Sequence, residues 1–369
     1  VSARRGSSPM GDRSARSRSA PPGQALPSRR PPPRRERERE REDLTRRALY
    51  LRSIPVAAEL EPRVVHVIAA AFRERDFEAG ERMMTEGEPI GAMHLLLDGA
   101  VALRRGGAPF GRLAPPQSLG FVGLLAGGDA PYDAFAEADT STLELDGDAL
   151  FELLEDHPSF LGATLRYASQ RVYHEMRELP SAALAIPFDR PVDVRDRPMS
   201  FVERVLFLRT FSIFTRANLN ALAALSAPLE EIRRAPGDVL FGEGDEDVST
   251  AYWIASGTVR CDAPPPPSSP GSPARSWRYG PGTVLGGIEG VAGAPRWYGA
   301  TVEAPLVALR GPSHQFVEML EDDFTTARTF LAMLMTLLTR LLQKRAEAGV
   351  SALAERRDVS SLGRVPVGA

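Results

Sequence analysis

From about Leu49 the chain alternates between two apolar patterns. One is helical: Leu161, Leu165, Ala168, Val172, Met176 and Leu179 fall on one face of a predicted helix over Phe160–Leu179. The other is a series of apolar runs of four to eight residues cut by glycines, which predicts short strands joined by tight turns. The two patterns come in the same order twice. A short helix (Glu61–Ala71, then Asn218–Ser226) precedes a set of strands, and a long helix closes each set. The second closing helix, Phe324–Arg345, is apolar around most of its circumference, as helices buried on several sides are.

The order is an internal repeat. Asp76–Gly87 matches Arg233–Gly244, with Gly80 and Gly237, and Gly87 and Gly244, each 157 residues apart. Gly99 and Gly257 are 158 apart, and Gly120 and Gly286 are 166 apart. The added residues are the Pro-rich tract Ala263–Pro273, expected to be a projecting loop rather than a strand. The predicted fold is therefore mainly β with flanking helices (α+β): two tandem, jelly-roll-like β-rolls, each with an N-terminal and a C-terminal helix. The predicted boundaries are an arm at 1–45, a first domain at 46–179, a Pro-marked linker at 180–200, a second domain at 201–345 and a tail at 346–369.

Composition narrows the class. Cys261 is the single cysteine, so no intrachain disulfide can form, and a reducing, cytoplasmic setting is expected. His66, His94, His157, His174 and His314 lie far apart without ligand spacing, so neither a metal nor a cofactor is expected. Residues 1–35 hold nine Arg against Asp12, a charge of +8 in a chain of net −3. Such a segment has too little apolar surface to pack and is expected to be disordered. It reads as a solubilising arm rather than a nucleic-acid contact, because no aromatic residue is interleaved for base stacking. Met10, the first methionine, is a candidate translation start. The alternating charges of Glu36–Asp43 predict a solvated helix running into Leu44–Leu51. No stretch approaches the ~20 apolar residues that a membrane span needs.

The glycines Gly80, Gly87, Gly99 and Gly120, repeated as Gly237, Gly244, Gly257 and Gly286, make residues 49–179 and 205–345 resemble the cyclic-nucleotide-binding domain family. The tandem pair resembles the arrangement in regulatory subunits of cyclic-AMP-dependent protein kinase. The resemblance implies a ligand pocket built on a phosphate-binding cassette of the form Phe-Gly-Glu-Leu-Ala, a short loop, and Pro-Arg-Ala-Ala-Thr. Its Arg pairs with the cyclic phosphate, its Glu accepts from the ribose 2′-hydroxyl, and backbone N–H groups complete the anion site. The cassette positions are Gly120, Phe121, Val122, Tyr132, Asp133 and Ala134 in the first copy. In the second they are Gly286, Gly287, Ile288, Tyr298, Gly299 and Ala300. On this alignment Phe121 and Gly287 replace the Glu, and Tyr132 and Tyr298 replace the Arg, so both cassettes are degenerate. Glu289 and Arg296 form an alternative pair, shifted by two residues.

A hydrogen bond to a charged group contributes about 1.5–3 kcal/mol. Losing both signature contacts should weaken a cyclic nucleotide by about 10²–10⁴-fold, so tight binding of cyclic AMP or cyclic GMP is not expected. The leading expectation is a non-enzymatic regulatory or scaffold protein acting through a protein partner. The alternative is a ligand-gated regulator in which Tyr132 and Tyr298 replace ionic recognition by stacking. The chain shows no P-loop, nucleophile motif or HExxH, so no enzyme is expected. Residues 346–369 are too few for a winged helix-turn-helix, so specific DNA binding is not expected either. The apolar excess of Phe324–Arg345 predicts a homodimer through that helix, unless the first copy's helix covers it.

Overall fold

The alternating-sign run does continue into a helix, α1 (Arg34–Leu51), which buries Ala48 and Leu51 near its end. The structure, a computed structural model, describes residues 34–184 and 197–347. The expected disordered arm up to residue 33, most of the linker and the tail beyond residue 347 lie outside the described residues. Contacts divide the chain into two units, Val1–Asp43 and Leu44–Ala369, and the second holds both rolls. Helices α2 (Pro55–Ala58) and α3 (Pro62–Ala71) each open on proline, whose missing N–H would be unpaired in a first turn anyway.

The first roll follows. Its strands are β1 (Arg73–Phe77), β2 (Arg82–Met84), β3 (Ala92–Asp98), β4 (Val101–Arg105), β5 (Ala108–Leu113) and β6 (Ser118–Leu119). Then come helix α4 (Phe121–Ala126) and strands β7 (Asp133–Ala136) and β8 (Thr140–Asp146). They pair antiparallel in two four-stranded sheets, β1-β8-β3-β6 and β2-β7-β4-β5. Leu96, Val101, Leu103, Leu119 and Ala134 fill the space inside this roll. Helices α5 (Gly147–Asp156), α6 (Pro158–Glu178) and α7 (Ser181–Leu184) close it.

The second copy begins with α8 (Phe201–Leu208), a 3-10 turn at Ser212–Phe214, and α9 (Leu219–Ser226), which Asn218 caps by accepting the Asn220 N–H. Its roll comprises β9 (Glu230–Arg234), β10 (Val239–Phe241), β11 (Thr250–Ala263), β12 (Arg275–Tyr279), β13 (Val284–Leu285), α10 (Gly287–Ala292) and β14 (Gly299–Pro312). Helices α11 (Ser313–Asp322) and α12 (Phe324–Glu347) close the chain. Here β11 spans what are β3 and β4 in the first roll, and β14 spans β7 and β8. The turn glycine persists inside the longer strand. Gly257 has φ +91°, and a Cβ there would stand 2.8 Å from Leu306 Cα; Gly99 has φ +83° and the same crowding against Thr140 Cα, 2.8 Å away.

The two copies clasp one another. Helix α4 of the first roll packs on α12, α10 of the second packs on α6, and α6 and α12 pack together. Phe330, Leu331, Leu334, Met335, Leu338 and Leu341 of α12 are all buried within the chain. The apolar excess that motivated a homodimer is thus covered by the first copy. A second difference concerns the Pro-rich tract. Pro266 is buried, and the Ser268 N–H donates to Glu178 Oε2 at 3.1 Å, so the loop lies against the end of α6 instead of projecting.

Candidate functional site

Backbone hydrogen bonds bring the two cassettes into register. The Gly87 N–H donates to the Ala130 carbonyl and the Gly244 N–H to the Arg296 carbonyl; Ala130 N–H donates to Glu88 O and Arg296 N–H to Asp245 O. Farther on, Ala134 pairs with Met84 and Leu103, as Ala300 pairs with Phe241 and Cys261. Ala130 and Arg296 are therefore equivalent, and Tyr132 and Tyr298 lie two residues beyond them. Arg296 follows Pro295 and occupies, in the second copy, the place that Ala130 holds in the first.

In the first roll the place beside the cassette glycine is apolar. A Cβ built on Gly120 would meet Met84 Cε at 3.2 Å and Ile90 Cγ2 at 3.4 Å, and Ile90 Cδ1 presses directly on Gly123. Phe121 and Val122 are half-buried against the main core. Tyr132 stacks on Phe110 with ring centroids 5.7 Å apart, and the Arg105 guanidinium lies 4.0 Å over Phe110. Burial raises the Tyr132 hydroxyl above its usual pKa against the opposing charge of Arg105. Asp133 Oδ1 accepts the Glu86 N–H at 3.1 Å, and Ala134 lies inside the roll. A cleft of about 360 Å³ is lined by Arg75, Arg82, Met84, Ile90, His94 and Glu144, among others, and by no residue of the cassette helix. Burial lowers His94 there to about 4, so its ring is neutral near pH 7.

In the second roll the same place holds charge. Gly286, at φ +74°, lies so close to the Arg296 guanidinium that any Cβ would collide with it. Arg296 is 1% exposed and donates from Nη2 to the Thr250 carbonyl, with its Cζ 4.6 Å from the Phe241 ring centroid. Nε and Nη1 are buried without a hydrogen-bond partner. Glu289 Oε2, the other member of the alternative pair, lies 3.9 Å from Nη1, within charge range but beyond a hydrogen bond. Burial pushes the Glu289 carboxyl up, against the pull of its own backbone N–H, the Arg296 charge and the Trp297 side chain. Trp297 stacks on Trp277 at 5.1 Å, and Tyr298 meets both rings edge-on at 5.0 and 5.3 Å. Gly287 and Ile288 are half-buried on α10, and Gly299 and Ala300 begin β14.

Residues 74–157 match the family model described as cyclic nucleotide-binding domain. The first roll is a domain of that type. Among solved structures, the chain is similar to the regulatory domain of Toxoplasma gondii PKA crystallised with cAMP. That match has 14% identity and TM-score 0.30, covering 83% of this chain and 97% of that one. It is also similar to a regulatory subunit of a cAMP-independent protein kinase A from Trypanosoma brucei (14%, TM-score 0.30, 76% and 88% covered). A third is the corresponding Trypanosoma cruzi subunit bound to guanosine (12%, TM-score 0.31, 84% and 93% covered). Such values carry no property of those proteins to this chain. A search of curated proteins returns no match.

Within the first roll, Ala130 and Gly123 stand where the second roll has Arg296 and Glu289. Three contributors have no local signal in the sequence: Ile90, which fills the first site; Tyr173, whose hydroxyl donates to Pro295 O at 3.1 Å from the other copy; and Gln170, which donates to Ala292 O at 3.1 Å. Trp277 was missed too; the signal that could have found it is the alternation Arg275, Trp277, Tyr279, which forms the buried face of β12.

Proposed function

We propose that this is a two-roll regulatory protein whose cassettes are closed by its own side chains, and that it acts through protein partners rather than by binding cyclic AMP or cyclic GMP in the usual way. The observation that carries this reading is the occupation of the two equivalent places. Ile90 fills one, against Gly120 and Gly123; Arg296, Glu289 and the Trp277–Trp297 stack fill the other. A cyclic nucleotide entering the first roll would have to expel an apolar side chain and would meet Ala130 where the second roll has the Arg296 cation. The clasp of α4 on α12 and α10 on α6 supports a regulatory role, because each cassette helix rests on the other copy's terminal helix. Calorimetric titration of the whole chain with cyclic AMP and cyclic GMP tests the reading. No binding tighter than about 10 μM is expected, and tighter binding would overturn it.

The unmatched Nε and Nη1 donors of Arg296 favour a second reading, a ligand-gated regulator working through the second roll alone. Tight binding that Arg296→Gln abolishes is its signature.

A further inference from the structure

The buried guanidinium of Arg296 has one hydrogen-bond acceptor, the Thr250 carbonyl, and two donor atoms with none. A buried cation is held in a fold only beside a compensating anion. The carboxylate placed for that role is Glu289, 3% exposed, on the first turn of α10 with Oε2 3.9 Å from Nη1. We propose that Glu289 is a resident anion: it brings to Arg296, from within the chain, the negative charge that a phosphate group would bring, and it is the residue that excludes such a ligand from the second roll. The inference rests on the reading of this roll as closed by its own side chains.

The internal repeat supports it independently. In the register set by the backbone hydrogen bonds, Arg296 corresponds to Ala130 and Glu289 to Gly123. The cation and the anion are present together in one copy and missing together in the other, where Ile90 covers both vacated places, lying against Gly120 and Gly123. An ordinary surface ion pair would have no reason to be replaced as a unit by one aliphatic side chain. The Glu289 carboxylate is also buried, with Trp297 beside it and Trp277 stacked on Trp297.

The test uses the full chain with Glu289→Gln and Glu289→Gly, the latter being the first copy's residue. Inorganic phosphate and cyclic AMP are the probes, read by calorimetry and by fluorescence of the Trp277–Trp297 stack. At least one probe should bind ten-fold or more tightly to the variants than to the wild type, and Glu289→Gln/Arg296→Gln should lose that gain. Folded variants with no gain, or a gain that survives the double change, overturn the proposal. Should neither single variant fold, stability decides: Arg296→Gln should unfold at lower urea than Glu289→Gln/Arg296→Gln, and equal midpoints overturn it. Failure of the functional reading looks different. Tight wild-type binding of cyclic AMP that survives Arg296→Gln places the ligand in the first roll and leaves Glu289 as assigned, whereas binding lost with Arg296→Gln overturns both.

Discussion

The Arg275 guanidinium, at the start of β12, donates to the Leu179 carbonyl at 3.0 Å, one copy capping the closing helix of the other. The same Nη1 reaches the Arg177 carbonyl at 2.7 Å, while Nε donates to Pro264 O at 2.8 Å. The last carbonyls of a helix have no partner within it and carry the negative end of its dipole, so a buried cation is well placed there. The Pro-rich insertion ends at this arginine. Its extra length carries the chain over to α6 and back.

Arg275→Met should therefore cost about 2–4 kcal/mol of stability, because charge-assisted bonds are lost and carbonyls are left buried. Lysine should recover only part, being a point charge rather than a fork. Urea denaturation checks this through the midpoint at unchanged slope. A loss below about 0.5 kcal/mol would mean the cap contributes little.

A cation can be grafted into the first cassette, but at Ala130 rather than at Tyr132. Ala130→Arg alone should gain little, since Ile90 already covers Gly120 and Gly123. Combined with Ile90→Ala, at a cost of about 2 kcal/mol in lost packing, it should raise affinity for cyclic AMP at least ten-fold. Tyr132→Arg should not, because that side chain stacks on Phe110, two residues past the equivalent of Arg296. Calorimetry on the three variants orders them, and equal affinities would sink the register.

The contrast shows where sequence reading works here and where it stops. Helix α9 is legible from its Asn218 cap, and the turns at Gly99 and Gly257 from a backbone conformation that other residues avoid. Tyr132 and Tyr298 are correctly matched to each other, since each follows its cassette glycine at the same distance. What spacing alone does not reveal is which loop side chain turns into the roll. That is set by non-local bonds, Gly244 to Arg296 and Arg296 to Asp245, across about fifty residues of chain. Ile90 is likewise only a loop residue after Pro89 until the cassette helix is brought against it. The apolar excess of α12 is plain in the sequence, but its cover lies in α4 and α6, far away in the chain.

His94 should make the first roll acid-sensitive. Its ring packs edge-on to Phe77 at 5.4 Å, with Nδ1 3.4 Å from Thr142 Oγ1 and 3.9 Å from Glu144 Oε2. Burial is the largest cause of its lowered pKa, with the charge of Arg75 acting in the same sense against that of Glu144. Its folded pKa of about 4 lies below the usual 6.5, so the unfolded chain binds more protons between those values. Stability from this group is complete above pH 6.5 and is lost as the pH falls from 6.5 to about 4. The loss is about 3 kcal/mol. Urea midpoints measured across that window should fall less steeply in His94→Gln than in the wild type. Parallel profiles would assign the acid sensitivity elsewhere.

The clasp between the copies makes a last prediction that depends on no ligand. Each cassette helix rests on the other copy's terminal helix, and α6 and α12 are joined by a buried ion pair, Arg345 Nη1 to Glu175 Oε2 at 3.1 Å. The association should therefore survive a cut in the chain. With a protease site introduced between residues 185 and 196, the two halves should stay together on gel filtration at micromolar concentration. The second half alone should aggregate, because Phe330, Leu334 and Leu338, buried in the whole chain, would lose the cover that the first copy supplies. Halves produced separately should reassemble, and Glu175→Ala should weaken that reassembly by about 100-fold, since breaking a buried pair from one side is costly. Halves that part at micromolar concentration after the cut would show that the connecting segment, and not the clasp, holds the two rolls together.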